Sequence, residues 1–312
     1  MQLPEHVRRI IDERAEDVGF AALKRAATAM SETYREGQGA RLNADGATAY
    51  LVTRMPATYA AAHAVLHEVR GRVTDTISSV LDIGAGTGAA SLAAREWFPD
   101  ASVTMVERHA ALSDAARLWL PGATVVTADV RKMGELPRHD LVIAAYSLGE
   151  FGERMAGRLW QAARVALVVI EPGTPKGFAQ IRDIRAELLA AGARMVAPCP
   201  WEGNCPIADP DWCHFAARVE RSSMHRRIKE AELGYEDEKF SYVALAREAG
   251  TLAGARVVRR PQHRPGLIVL ETCTPGNLRT EKVTKRDREA FRRARKTGWG
   301  DEWVIVDSSE GE

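Results

Sequence analysis

Two spacings of apolar residues divide the chain. Over residues 4 to 72, apolar positions recur three and four apart, as in Val7, Ile10 and Ile11 and, after a break at Gly19, Leu23, Ala26 and Ala27. That period gathers them on one helix face, so several helices are expected there. From Val80 the pattern becomes short unbroken apolar runs: Ser79 to Ile83, Ser102 to Glu107, Thr124 to Ala128, Asp140 to Ala145 and Ala166 to Glu171. Helical stretches separate them. Such runs are buried on both faces, so strands alternating with helices predict a parallel sheet covered on both sides. A further helix over about 177 to 191 leads into a polar, turn-rich stretch, Pro198 to Trp212. Strand character returns at Lys239 to Arg247, Arg256 to Arg260 and Gly266 to Glu271, and Lys285 to Lys296 reads as a basic helix. The expected division is a helical region (1–72), an α/β sheet domain (73–197), a Cys-rich segment (198–250) and a basic α+β module (251–312).

Composition adds scale. With 312 residues, 46% of them apolar, and a formal charge of +1, the chain can bury a large core and has no overall demand for a polyanion. The charge is uneven, however: Arg256 to Lys296 holds thirteen Lys or Arg against four acids. Arg256, Arg259, Arg260 and Arg264, with Lys285, Arg286, Arg288, Arg292, Arg293, Arg295 and Lys296, are candidates to cover phosphates. The start, Met1-Gln2-Leu3-Pro4-Glu5-His6, enters an acid-containing amphipathic pattern that fits neither a signal peptide nor an Arg-rich transit peptide, and no apolar run approaches a membrane span. A cytoplasmic protein without a membrane partner is expected. In that reducing compartment the four cysteines point to metal or redox chemistry rather than disulfides.

The most informative segment runs from Leu81 to Gly88. Val80-Leu81-Asp82-Ile83 ends a strand, and Gly84-Ala85-Gly86-Thr87-Gly88 turns into a helix from about Ala89, where a ligand can approach backbone and free N–H groups closely. A dinucleotide fingerprint G-x-G-x-x-G would place glycine at 89, which is alanine. Glu107 ends the next strand about twenty residues on, where a carboxylate accepts from ribose hydroxyls. Asp129, followed by Val130, ends the third strand, in reach of an adenine amine. Together these favour S-adenosylmethionine over a dinucleotide.

All four cysteines follow residue 198: Cys199, Cys205, Cys213 and Cys273. Four thiolates satisfy either a tetrahedral zinc or an iron–sulfur cluster. No pair has the C-x2-4-C spacing common in structural zinc sites, and the prolines after Cys199 and Cys205 suit an irregular loop around a bulky group. Spacing alone leaves both open. His214 and His225 are alternatives to Cys273 and are kept outside the primary ligand set.

Several segments together resemble one family, the methyltransferase-like proteins of small ribosomal subunit assembly, known from mitochondria and with bacterial relatives. They are Tyr50 to Tyr59, Tyr146 to Glu150, Glu171 to Pro175, Cys199 to Phe215, Glu236 to Tyr242, and Arg293 to Lys296 with Trp299-Gly300-Asp301. The resemblance covers roughly residues 45 to 303. It implies a class I (Rossmann-like) methyltransferase sheet, with Asp82, Gly84, Ala85, Gly86 and Gly88 around the methionine part, Glu107 at the ribose, Asp129 and Val130 at the adenine, and Tyr146 in the pocket. It also implies a [4Fe–4S] cluster on Cys199, Cys205, Cys213 and Cys273, with zinc as the alternative metal, and docking on small-subunit ribosomal RNA by a protein that is monomeric off the ribosome.

Catalysis is less defined by sequence. The Asn/Asp-Pro-Pro-aromatic motif that holds a target amine in many base methyltransferases is replaced by Ala145-Tyr146-Ser147-Leu148-Gly149-Glu150, and no cysteine lies in the cofactor domain. Tyr146 and Glu150 are candidates for the acceptor wall. Arg54 is a candidate for the cofactor carboxylate or for a structural acid. The leading expectation is a methyltransferase acting on or with small-subunit RNA, and the alternative is a non-catalytic RNA-binding assembly factor that retains the pocket.

Overall fold

A computed structural model describes residues 1–35, 43–152 and 155–305. Four helices open the chain: α1 (Glu5–Val18), α2 (Phe20–Arg35), α3 (Ala44–Thr53) and α4 (Met55–Arg72). In α1 the period of the sequence is realised, with Val7, Ile11 and Ala15 buried on one face. Asn43 caps α3 by accepting from the Gly46 N–H at 2.8 Å. Burial of α4 extends around most of its circumference because it packs against the sheet and a neighbouring helix.

The sheet domain follows as β1 (Ser79–Ile83), α5 (Ala89–Trp97), β2 (Ser102–Glu107), α6 (Ala110–Trp119), β3 (Thr124–Thr127), β4 (His139–Ala145), α7 (Met155–Ala162), β5 (Ala163–Pro172), α8 (Pro175–Ala190) and β6 (Arg194–Ala197). Beyond it come β7 (Phe215–Glu220), α9 (Ser223–Lys229) and β8 (Tyr235–Ala246). The large sheet has the order β3-β2-β1-β4-β5-β8-β6, with β7 added to β8. Strands β1 to β5 pair in parallel, while β8 runs antiparallel to β5, β6 and β7. A parallel sheet with a late antiparallel strand inserted beside β5 is the class I methyltransferase arrangement. Alternate residues of its strands feed two cores: Leu141 and Ile143 of β4 join the side covered by α4 and α5, while Val142 and Ala144 join the side covered by α7 and α8.

The sequence placed residues 198–250 in a segment of their own, but β7 and β8 lie in the large sheet. β8 begins four residues before the strand expected from Lys239, because its first half, Tyr235-Glu236-Asp237-Glu238-Lys239, is polar and not buried and pairs with β7 rather than with the buried strands. The basic module forms β9 (Ala255–Val257), β10 (Gln262–Arg264), β11 (Leu267–Thr274), β12 (Asn277–Thr284), α10 (Arg288–Ala294) and β13 (Glu302–Trp303). Its helix is shorter than the basic run, since Lys285 and Arg286 belong to the turn before Asp287, whose side chain caps α10 by accepting from the Ala290 N–H.

Arg256, expected among phosphate contacts, is instead 1% exposed and joins three parts of the molecule. It donates through Nε to Pro198 O (3.0 Å), through Nη1 to Gly300 O (2.8 Å) and through Nη2 to Glu68 Oε2 (2.7 Å). Arg72 donates to the same Glu68 oxygen and to Glu302. Burial alone would raise the Glu68 carboxyl, but the two guanidiniums outweigh it and hold Glu68 below its ordinary value. Arg256→Met is expected to destabilise the fold by about 2–3 kcal/mol, because it takes the donor from the Pro198 and Gly300 carbonyls and leaves Glu68 to Arg72 alone, and adding Glu68→Met is expected to recover only a small part of that loss. Urea denaturation checks both. A single variant within about 1 kcal/mol of wild type would show that the joint contributes little.

Candidate functional site

The loop after β1 is built on positive φ angles, +68° at Gly84 and +73° at Gly88. At Gly84 a Cβ would stand 2.6 Å from Ser147 Cβ and 2.8 Å from Phe151 Cζ, so only glycine lets the β4 end approach. At Gly88 a Cβ would meet Met105 Sδ and Leu120 Cδ1, each at 3.0 Å. The loop is tied to β2: Gly84 and Ala85 donate to Val106 O, and Gly86 donates to Glu107 Oε2 at 2.9 Å.

These turns open a concavity of about 840 Å³ at the ends of β1 to β4. Asp82, Gly84, Ala85, Gly86, Glu107, Asp129, Val130 and Tyr146 all line it. Gly88 does not; it faces β2 and α6, so its glycine is required by packing rather than by approach to the concavity. Sequence reasoning missed Tyr50 and Thr58, which reach the site from α3 and α4, and His109, Ser147 and Phe151. Tyr50 and Thr58 stand in the segment that carried the family resemblance, the one signal that could have found them. The side chain of Glu150 lies outside the described residues.

Each acid is held in a different way. Glu107, 6% exposed, accepts from the Gly86 N–H on one oxygen and from the His109 N–H on the other. Asp82 accepts from both the Ser91 N–H and hydroxyl at 3.1 and 2.7 Å, which pins the strand end to α5. Burial raises its carboxyl to about 6, with Ser91 opposing and Glu107 adding to the shift. Asp129 is gripped by the Arg131 side chain on both oxygens, which lowers it to about 2. Tyr146 stands at φ +55°, and its hydroxyl donates to Glu238 Oε1 at 3.0 Å. Arg54 faces Glu238, Tyr50, Tyr146 and Glu236 and does not line the concavity.

All four cysteines line a second concavity, with Arg185, Trp201 and Arg256. Burial raises the thiols of Cys199 and Cys213 and pushes Cys273 up to about 12, with the neighbouring cysteines adding to the shift. Ser241 donates to Cys213 O at 2.7 Å. Among the described residues no three His, Cys, Asp or Glu side chains form a group that holds a metal ion, so the cysteines share a cavity without forming a closed coordination shell. His214 stacks on Trp212 and meets Trp299 edge to face, and His225 lines a different concavity beside Leu51 and Arg221.

A family model described as mitochondrial small ribosomal subunit Rsm22 matches residues 44–304. The chain belongs to the Rsm22 family. Two curated relatives of Schizosaccharomyces pombe, Rsm22-cox11 tandem proteins 1 and 2, mitochondrial, are each 25% identical over 81% of this chain, and the chain spans 42% of their length. Among solved structures, the plantazolicin methyltransferase BpumL in complex with SAH is 12% identical (TM-score 0.40, 77% of this chain, 100% of that one). A SAM-dependent methyltransferase from Aquifex aeolicus is 17% identical (TM-score 0.40, 67% and 100%). At those scores the structural likenesses carry no functional weight.

The cytoplasmic expectation is overturned, since the Rsm22 family model and both relatives are mitochondrial. It rested on residues that form the packed helix α1, and a packed helix carries no record of compartment. No described helix of this Rsm22 chain is long and apolar enough to cross a membrane. The basic residues also divide on the structure: Arg256 is buried and Arg259 is paired with Asp211, while Arg260, Arg264, Lys285, Arg286, Arg288, Arg292, Arg293, Arg295 and Lys296 are exposed.

The pKa of Asp82 yields a signed prediction. Its native carboxyl, raised from 3.8 to about 6, binds its proton more tightly than the unfolded chain does. Its contribution is therefore fully present below pH 3.8 and is lost as pH rises to about 6, by roughly 3 kcal/mol. Asp82→Asn, which keeps an acceptor for Ser91, is expected to match wild type near pH 4 and exceed it above pH 6. Urea denaturation across that range measures the difference; parallel profiles would refute the assignment.

Proposed function

We propose that this Rsm22 chain is an S-adenosylmethionine-dependent methyltransferase that works on small-subunit ribosomal RNA. The observation that carries the reading is the convergence of the glycine loop, Glu107 and Asp129 on one concavity at the carboxyl ends of parallel strands, where such sheets bind their ligands. The residues fit the cofactor: Thr87 Oγ1 lines that concavity and is buried without a hydrogen-bond partner, a polar atom that a bound ligand would satisfy.

When bound, the sulfonium cofactor supplies an activated methyl group. Glu107, fixed by two backbone N–H groups, keeps lone pairs for the ribose hydroxyls. Asp129 and Val130 would hold the adenine end, and the backbone around Gly84 and Gly86 would receive the methionine part. Positioning provides much of the rate for a donor this reactive. The exposed cations of the basic module supply the phosphate contacts for RNA, acting by counterion release.

The four cysteines are proposed as ligands of a [4Fe–4S] cluster. Their common cavity supports this, as does Arg185, which lines it with a buried, unpartnered Nε and would face the negative charge of a thiolate-bound cluster. A bound cluster would add ligation free energy to folding where the bare thiols are costly to ionise.

Three experiments test these readings. Isothermal titration should show S-adenosylmethionine binding that Glu107→Gln weakens by about tenfold or more, since an amide cannot accept on both sides of the loop. Labelled cofactor incubated with immature small subunits should then transfer its methyl group. Binding without transfer would favour an assembly factor that retains the pocket, a reading the missing acceptor motif also favours. Anaerobic purification should yield brown protein containing iron and sulfide, and Cys273→Ser should lower both its iron content and its melting temperature. A colourless preparation with stoichiometric zinc would exclude the cluster.

A further inference from the structure

Three segments far apart in the chain meet where Tyr50 of α3 and Tyr146 after β4 line the cofactor concavity, with Arg54 between α3 and α4 and Glu238 on β8 behind them. Tyr146 lines the concavity from left-handed backbone, which a bulky residue keeps only when its surroundings hold it there. Its N–H is fixed by Ile170 O at 2.7 Å, and its hydroxyl donates to Glu238 Oε1 at 3.0 Å. Having given its one proton to Glu238, the hydroxyl is left to accept from any group that enters. Arg54, Glu236 and Lys229 are the other charged groups facing Glu238. No cysteine lines the concavity, so among the described residues there is no thiolate to activate a pyrimidine carbon.

We propose that Tyr146 is the acceptor-side catalytic residue, that Glu238 is its positioning residue and proton sink, and that the acceptor is the exocyclic amino group of a nucleobase. The proposal rests on the methyltransferase reading above. The acceptor N–H donates to Tyr146 Oη; as the nitrogen lone pair bonds to the methyl carbon, the carbon–sulfur bond breaks and its electron pair stays on sulfur as a thioether. The proton released from nitrogen passes to Tyr146 Oη while the tyrosine's own proton passes to Glu238. A neutral phenol backed by a carboxylate is too weak a base to ionise a ribose hydroxyl before attack. An amine needs only to shed its proton as positive charge grows on nitrogen. Burial raises the carboxyl of Glu238, with Arg54 and Tyr146 opposing, which moves this sink towards the working pH.

The test uses the full chain, labelled S-adenosylmethionine and immature small subunits, with digestion of the product to nucleosides. Tyr146→Phe and Glu238→Gln are expected to lower kcat by about tenfold or more at unchanged KM for the cofactor, with Glu238→Asp recovering part of it. The acid limb of the pH–rate profile should vanish in Glu238→Gln, and label should appear in an N-methylated base. Independently of turnover, the carbon-13 resonance of the Tyr146 ring, identified by its loss in Tyr146→Phe, should shift in Glu238→Gln. Where Glu238→Gln fails to fold, Tyr146→Phe, which removes a single oxygen, decides. Wild-type rates and pH profile in the variants, or label on ribose oxygen or base carbon, would overturn this assignment and leave the methyltransferase reading standing. Cofactor binding with no transfer by wild type would overturn both.

Discussion

Buried Arg256 and half-buried Glu68 form an ion pair between residues 188 positions apart, and the cysteine cavity takes its placement from it. The guanidinium ties β9 to helix α4, to the carbonyl preceding Cys199 and to the loop before β13. It stands opposite Cys273 in the ladder of β9 and β11, so the same contact that closes the basic module onto the body also brings the fourth cysteine to the other three. Removing two charges from water is costly, and such pairs persist where geometry repays it. Here the acceptors are two carbonyls and a carboxylate shared with Arg72, so the arginine's position is fixed by several partners at once.

Strand β8 performs the second connection. Because successive side chains point to opposite faces, Glu236 and Glu238 fall on one side and Asp237 on the other. Glu238 meets Tyr146 of the cofactor concavity, Glu236 pairs with Arg221, and Asp237 pairs with Arg218 across the ladder to β7. A few residues on, Ser241 holds the Cys213 carbonyl while Phe240 and Tyr242 enter the core. One strand thus holds Tyr146, which lines the first concavity, and a few residues on braces the cysteine loop.

Much of this was legible in the sequence where burial is uniform. The strands β1, β2, β4 and β5 are largely covered on both faces and read as apolar runs, the edge strand β3 keeps that pattern although none of its residues is fully buried, and the glycine loop with Glu107 and Asp129 could be placed by register alone. Strand β12, Asn277 to Thr284, was not legible, because it is mostly exposed and carries Arg279, Glu281 and Lys282. The residues Phe215 to Glu220 of β7 have no strict alternation to mark them as a strand. Tyr50 and Thr58 could not be assigned to the site from spacing, since they reach it through the packing of helices against the sheet rather than through the βα loops.

Charge shows most clearly what residue type omits. By residue type alone eleven cations in one stretch are candidates for a single phosphate-binding surface, yet the structure separates them by the partners that folding brings from elsewhere. Arg256 finds Glu68, and Arg259 finds Asp211; both are committed to the fold, because a guanidinium already held by a carboxylate gains little by exchanging it for a phosphate. The cations on α10 and the turns around it remain exposed and solvated, which is the state in which a positive charge releases counterions on meeting RNA. The same residue type therefore serves as interior fastening in β9 and as outer surface on α10. The difference lies in whether an acid more than forty residues away in sequence is brought within hydrogen-bond distance.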